Sequence, residues 1–373
     1  MKKIFALLLS LCMILPVAVT AEDLNTDAKS IILIEEKTGA VLYEHNADEA
    51  LPPASVTKIM TLLLIAEAVD NGVITLSDNV TASAYAASMG GSQIYLKEGE
   101  VMSVEDMVKS IVIASANDAA VAMAEHLAGS EEAFVKRMNE RAVELGMTNT
   151  YFENTNGLDD TAVGHVCSAR DIAIMSRELL RHTWILNYTT IWMDSVRDGQ
   201  FGLTNTNRLI KSYNGANGLK TGSTDKAKFC ISATAKRDEM QLIAVIMGAS
   251  TRDSRNLCAA RVLDYGFANF KYYCYPPSEI SDIPLRGGEE LSITGVYDGF
   301  DTVMLKSSAD ITAESFINEE LTAPISKGQV IGQVKLTCDG EEMAVLDVTA
   351  DRDYGKIGYM DTLELLFEKW ILL

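Results

Sequence analysis

Metal-binding patterns are missing from this chain. Its four histidines, His45, His126, His165 and His182, show no HExxH and no paired spacing. Neither a metal nor any other cofactor is expected. Cysteine is sparse too, with six residues and no CxxC pair. Cys12 falls in the first apolar run. Cys167, Cys230, Cys258, Cys274 and Cys338 are far apart and odd in number, which argues for buried free thiols over a disulfide framework. Positive charge is short as well: 32 Lys and Arg face 52 Asp and Glu, a net charge of −20. So acidic a surface argues against nucleic acid as a partner, because a phosphate backbone needs cations. The leading apolar run, Ile4 to Leu15, falls short of the roughly 20 residues that a spanning helix needs.

That run follows Lys2 and Lys3 and precedes the small residues Val19-Thr20-Ala21. It reads as a secretory signal over residues 1–21, with a mature chain starting at Glu22 outside the cytoplasmic membrane. Loss of its two lysines takes the net charge from −20 to −22. The remaining length, at 48% hydrophobic content, suits two domains.

Ser30 to Glu36 and Ala40 to His45 are apolar runs around Lys37-Thr38-Gly39 and predict a hairpin. Helices are predicted from Ser55 to about Gly72, from Ser103 to Ala114, from Asn117 to Ala128, from Ser130 to Leu145 and from Ser168 to His182. Strands return at Phe229 to Lys236 and Met240 to Gly248, then a helix at Ser254 to Phe270. One sheet joining the first and last strands, with helices inserted, is the simplest arrangement. Pro276-Pro277 marks a boundary. Beyond it, short alternating runs at 291–296, 302–306, 311–317, 330–336 and 343–348 predict a small all-β domain over 276–357. In the last segment, 358–373, Leu363, Leu366, Phe367, Trp370 and Ile371 fall at helical spacing. That helix would be about 20 Å long, too short to cross a membrane but suited to lying in its surface, with packing on the β-domain or on a second copy the alternative.

Ser55-Val56-Thr57-Lys58 carries the most chemistry. Three residues bring two helical side chains together. A serine hydroxyl needs a neighbouring base to become a nucleophile, and a lysine in a dry site can lose its proton and serve. Such a site also needs a proton relay, donors for an oxyanion and a cation for a substrate carboxylate. Ser115-Ala116-Asn117 sits at a break between two helices. Lys220-Thr221-Gly222-Ser223 is expected just before a strand, with the glycine allowing close backbone approach. Other copies of these patterns have blander settings. Lys37-Thr38-Gly39 fills a turn and Ser77-Asp78-Asn79 a polar connector. Ser254-Arg255-Asn256 repeats the serine–x–asparagine pattern without the other elements. In Ser223-Thr224-Asp225-Lys226 strand spacing puts the lysine opposite the serine.

These three motifs, in this order, resemble the penicillin-binding protein and serine β-lactamase superfamily. With Asn154-Thr155-Asn156-Gly157-Leu158, Ser168-Ala169-Arg170-Asp171 and Gly218-Leu219-Lys220-Thr221-Gly222, residues 25–275 are most similar to the serine-type D-alanyl-D-alanine carboxypeptidases. Ala116 stands where glycine is common, and Cys167 where a hydroxyl or aromatic residue is frequent. The resemblance implies an α/β fold: an antiparallel sheet flanked by helices with a helical subdomain, over 22–275, before the all-β domain and terminal amphipathic helix. It implies peptidoglycan stem peptides as substrate and β-lactams as covalent inhibitors. Ser55 is the implied nucleophile, Lys58 its base and Ser115 the relay to the leaving amine. Asn117 is the implied holder of the substrate amide and Lys58. Lys220 and Thr221 would meet the terminal carboxylate. Backbone N–H groups of Ser55 and Ser223 would form the oxyanion hole, and Arg255 would face the carboxylate, with Arg252 an equally close candidate. A DD-endopeptidase, a β-lactamase and a non-catalytic wall-binding module are the alternatives. No Glu-x-x-Leu-Asn segment that would assist β-lactam hydrolysis lies between the second and third motifs.

Overall fold

The computed structural model describes residues 24, 26–159, 162–360, 362, 363 and 367. The predicted leader and most of the terminal helical stripe lie outside these described residues. Packing divides the chain into two units, one ending at Phe270 and the other beginning at Lys271.

In the first unit a five-stranded antiparallel sheet runs in the order Val41–His45, Ser30–Glu35, Met240–Ala249, Lys228–Arg237, Ala216–Thr224. The N-terminal strand pairs directly with a late one, Ile32 opposite Val245 and Leu33 opposite Ala244. Both strands are apolar runs buried on both faces, which explains their weak alternation. The helix Lys58–Asp70 packs in the interior, with Ile59, Met60, Leu62, Leu63 and Ile65 all buried. Serine caps set the starts of other helices. Ser103 Oγ accepts from the N–H of Asp106, Ser130 Oγ from that of Ala133, and Ser168 Oγ from that of Asp171. Gly129, at φ +85°, closes Asn117–Ala128 in the left-handed conformation that glycine adopts freely.

Three local readings change. The helix predicted over 103–114 is α-helical only for Val104–Lys109 and then widens to a π-turn, Ser110–Ala114. Lys220-Thr221-Gly222-Ser223 lies inside the strand Ala216–Thr224 and not ahead of it. Two glycines and the lysine hide that strand from a propensity reading. The segment 183–215, unassigned from sequence, holds the short paired strands Met193–Val196 and Phe201–Thr204.

The second unit carries a five-stranded antiparallel sheet, ordered Ser278–Pro284, Ser292–Tyr297, Glu341–Ala350, Val330–Cys338, Thr312–Ile317. Ile283, Ile293, Ile331, Val334, Leu336 and Val348 form its core. Pro276-Pro277 separates two strands, Phe270–Tyr275 and Ser278–Pro284. Neither was read from sequence, because the aromatic run at 270–275 does not alternate. Four of the described cysteines are buried free thiols as expected; Cys274 is exposed.

Candidate active site

Ser55 stands in a 3-10 turn, Ala54–Thr57, that leads straight into the helix starting at Lys58. In a 3-10 turn residues i and i+3 eclipse one another. Lys58 Nζ accordingly lies 2.9 Å from Ser55 Oγ. The same nitrogen lies 2.6 Å from Asn117 Oδ1 and 2.7 Å from the Asn156 carbonyl oxygen. Lys58 is fully buried, and its amine is held well below its ordinary value, first by burial and then by the charge of Lys220, against a smaller opposite pull from Asp118. A neutral amine keeps two N–H donors and one lone pair. Asn117 Oδ1 and the Asn156 carbonyl can only accept, so they take the two hydrogens and leave the lone pair for the serine hydroxyl. The cradle therefore accommodates the basic state of the lysine, which burial favours.

The turn that presents Ser55 is clamped from several sides. Ala54 is at φ +49°, a strained value for alanine. Gly157, at φ +83°, lies so close that a Cβ there would fall 1.8 Å from Ala54 O. A Cβ on Gly222 would fall 2.7 Å from Ser55 N and 2.9 Å from Pro53 O. Only glycine lets these two segments touch the backbone of the Ser55 turn. Glu153 N–H donates to His165 Nδ1 at 3.0 Å, which puts the ring proton on Nε2. Nε2 then donates to Thr57 Oγ1 at 2.7 Å, and Thr57 donates on to Ala54 O at 2.8 Å. Burial drives the His165 imidazole down to about 4, keeping it neutral.

Ser115 follows the π-turn at φ +63° and Asn117 opens the next helix. Asn117 Nδ2 donates to Gly90 O at 2.7 Å, so both ends of its amide are held. Beside it the buried Asp118 carboxylate accepts from the N–H groups of Ile94, Leu96 and Ala119, fixing the neighbouring loop. On the sheet edge, Lys220 is buried and donates to Thr221 O at 2.8 Å. Burial, and then the charge of Arg255, push its amine down to about 7. Thr221 Oγ1 donates to Thr206 Oγ1 at 2.8 Å.

A cleft of about 420 Å³ joins these parts. Ser55, Ser115, Thr221, Gly222, Ser223 and Arg255 line it, while Lys58, Asn117 and Lys220 are buried beneath. All nine residues singled out from sequence thus gather in one place. Two decoy side chains have other partners: Lys226, the lysine of the second SxxK, is exposed and reaches Asp159 O, and Thr38 bonds to Glu35 in its turn. Trp192, Thr206, Arg208 and Arg252 also line the cleft. Of these, sequence reading named only Arg252, because Trp192, Thr206 and Arg208 stand in bends and turns beside short strands, which leave little periodic signal. Asn156 and Gly157 belonged to a quoted motif, but their contacts with Lys58 and Ala54 were not foreseen.

The model of the D-alanyl-D-alanine carboxypeptidase family matches residues 17–251, well over half of the chain. The chain belongs to this family. It is a hydrolase of the D-alanyl-D-alanine carboxypeptidase type, with the penicillin-binding protein fold and a function in the cell wall. The C-terminal domain model of penicillin-binding protein 5 matches residues 282–356. D-alanyl-D-alanine carboxypeptidase DacF of Bacillus subtilis (strain 168) is 45% identical over 93% of this chain and 91% of its own. Penicillin-binding protein 5 from Haemophilus influenzae is 30% identical, with a TM-score of 0.77 over 89% of this chain and 98% of that one. The ampicillin-bound penicillin-binding protein D2 from Listeria monocytogenes covers 66% of this chain and 100% of its own, at 31% identity and a TM-score of 0.59.

Proposed function

We propose that Ser55 attacks the carbonyl between the two terminal D-alanines of a peptidoglycan stem pentapeptide, with neutral Lys58 as the base. The observation that carries this reading is the 2.9 Å contact between the fully buried Lys58 Nζ and the half-buried Ser55 Oγ. The carbonyl oxygen, as it gains charge, lies between the backbone N–H groups of Ser55 and Ser223. The approach of Gly222 to Ser55 N supports that pairing. Ser115 passes the proton to the leaving amine and Asn117 holds the substrate amide. Thr221 and Arg255 take the terminal carboxylate from the cleft side, with the Lys220 charge directly beneath. Water then hydrolyses the ester.

A β-lactam offers the same reactive carbonyl, so Ser55 is its proposed covalent target. Incubation with a stem pentapeptide and assay of released D-alanine tests the reaction. Labelled penicillin followed by mass mapping tests the nucleophile. Label on another serine, or D-alanine release that survives Ser55→Ala, would defeat the assignment.

We also propose export, on the strength of the leader-like residues 1–21, and contact of the terminal helix with a membrane surface. Exposed Tyr359, Met360 and Phe367 support the second idea. Flotation of the full chain on vesicles, against a chain ending at residue 357, checks it.

A further inference from the structure

The cleft is cationic in a strongly acidic protein. Arg208, Arg252 and Arg255 all line it and Lys220 lies beneath one wall, whereas the whole chain carries a net −20. No acidic side chain lines the cleft among the described residues. Asp253 meets Arg208 at 3.7 Å, but from a position 89% exposed, where water screens the pair.

The arrangement works against the fold. Arg252 and Arg255 are three residues apart in the first turn of the helix Arg252–Asn269. Cations are disfavoured at a helix N-terminus, and like charges at that spacing repel. Arg255 is pushed down to about 10 by burial, then by Arg252, with a further contribution from Arg208. An anionic ligand relieves all of this at once. One carboxylate does not need so many partners. In the reading above its two oxygens are taken by Thr221 and Arg255 over Lys220, and Arg208 and Arg252 remain unused in the same cleft.

We propose that the cleft also accepts a leaving group with a second carboxylate. The scissile bond then joins D-alanine to a D-configured amino dicarboxylic acid. Arg208 and Arg252 take its side-chain carboxylate, while Thr221 and Arg255 keep the other. This inference rests on the carboxypeptidase reading of the site and defines its leaving-group specificity. Ser55 Oγ bonds to the alanyl carbon, the C–N bond breaks, and the serine proton ends on the departing amine. Water then splits the ester, restoring Ser55 and freeing the D-alanine carboxyl group.

The test compares three acyl-D-alanyl substrates that differ only in the last residue: D-Ala, D-Glu and D-Gln. D-Glu and D-Gln match in shape, so their ratio of kcat/KM isolates the charge. The native enzyme should prefer D-Glu over D-Gln by about tenfold or more, the size of one good charge-assisted contact. Arg208→Gln and, separately, Arg252→Gln should each pull that ratio towards one. Raising the salt concentration should also lower it for the native enzyme. An enzyme that releases D-Ala but treats D-Glu and D-Gln alike overturns the inference and leaves the carboxypeptidase reading standing. So does a preference that both variants retain. Failure on all three substrates overturns both.

Discussion

Lys58 Nζ faces Ser55 Oγ at 2.9 Å with its other two positions filled by Asn117 Oδ1 and Asn156 O. Replacement by arginine keeps a cation but cannot supply a lone pair at any ordinary pH. Lys58→Arg should slow acylation by labelled penicillin by about 10²–10⁴-fold, the usual share of a general base. A stopped-flow acylation rate close to native would remove Lys58 from that role.

The pH dependence has two limbs. Activity should rise with pH as the depressed Lys58 amine gives up its proton, and fall above about 7 as Lys220 loses its charge. Lys220→Arg, which stays charged, should move the alkaline limb of kcat/KM to higher pH. A limb still at the native position would exclude Lys220 as its source.

The same burial makes Lys220 a pH-dependent term in stability. Its folded value of about 7 lies below the ordinary 10.5, so between those values the unfolded chain holds more protons. Stability from this group therefore rises with pH through that window. The denaturation midpoint of the native enzyme, relative to Lys220→Gln, should be higher at pH 9 than at pH 7. A difference independent of pH would contradict the buried setting.

Gly222→Ala should bring a methyl group against Ser55 N and Pro53 O, both backbone atoms that cannot swing aside. A cost of about 1–3 kcal/mol is expected for such overpacking, together with a large loss of acylation. Gly202→Ala is the control, since nothing lies within 4 Å of its added Cβ. Thermal melts and penicillin labelling of both variants give the comparison, and equal behaviour would refute the clamp.

His165→Ala breaks the relay from Glu153 N–H through Thr57 to Ala54 O. Leaving these buried groups unpaired should cost about 1–3 kcal/mol. The native imidazole titrates at about 4 against an ordinary 6.5, so its contribution is whole above 6.5 and is lost as pH falls towards 4. The melting-temperature gap between native and His165→Ala should narrow over that range. A constant gap would show that His165 titrates freely.

Much of this was legible in the chain because its signals were local. The serine caps at 103, 130 and 168 and the glycine at 129 each mark a helix end through a single hydrogen bond or a single φ. Ser55 and Lys58 are one turn apart, so their meeting followed from spacing. The meeting of Ser115 and Lys220 with them is long-range, and came from motif resemblance rather than periodicity. What stayed hidden depends on tertiary contact. The strand containing Lys220 is glycine or polar at seven of its nine residues, and is a strand because Thr221 pairs with Ile231. Arg208 reaches the cleft from a segment with little pattern of its own. Asn156 serves Lys58 through a carbonyl that every residue type possesses, so no side chain could announce it.

Gly157 and Gly222 press on the turn around Ser55 from two sides. For covalent drugs aimed at this serine, the consequence is a target with little freedom to evolve at its centre. Bulk added at either position meets backbone atoms of the turn that carries Ser55, so an escape mutant there is expected to disturb the proposed nucleophile as well. Arg208 and Arg252 line the same cleft without that backbone contact, so a change there alters the cleft wall and leaves the turn untouched.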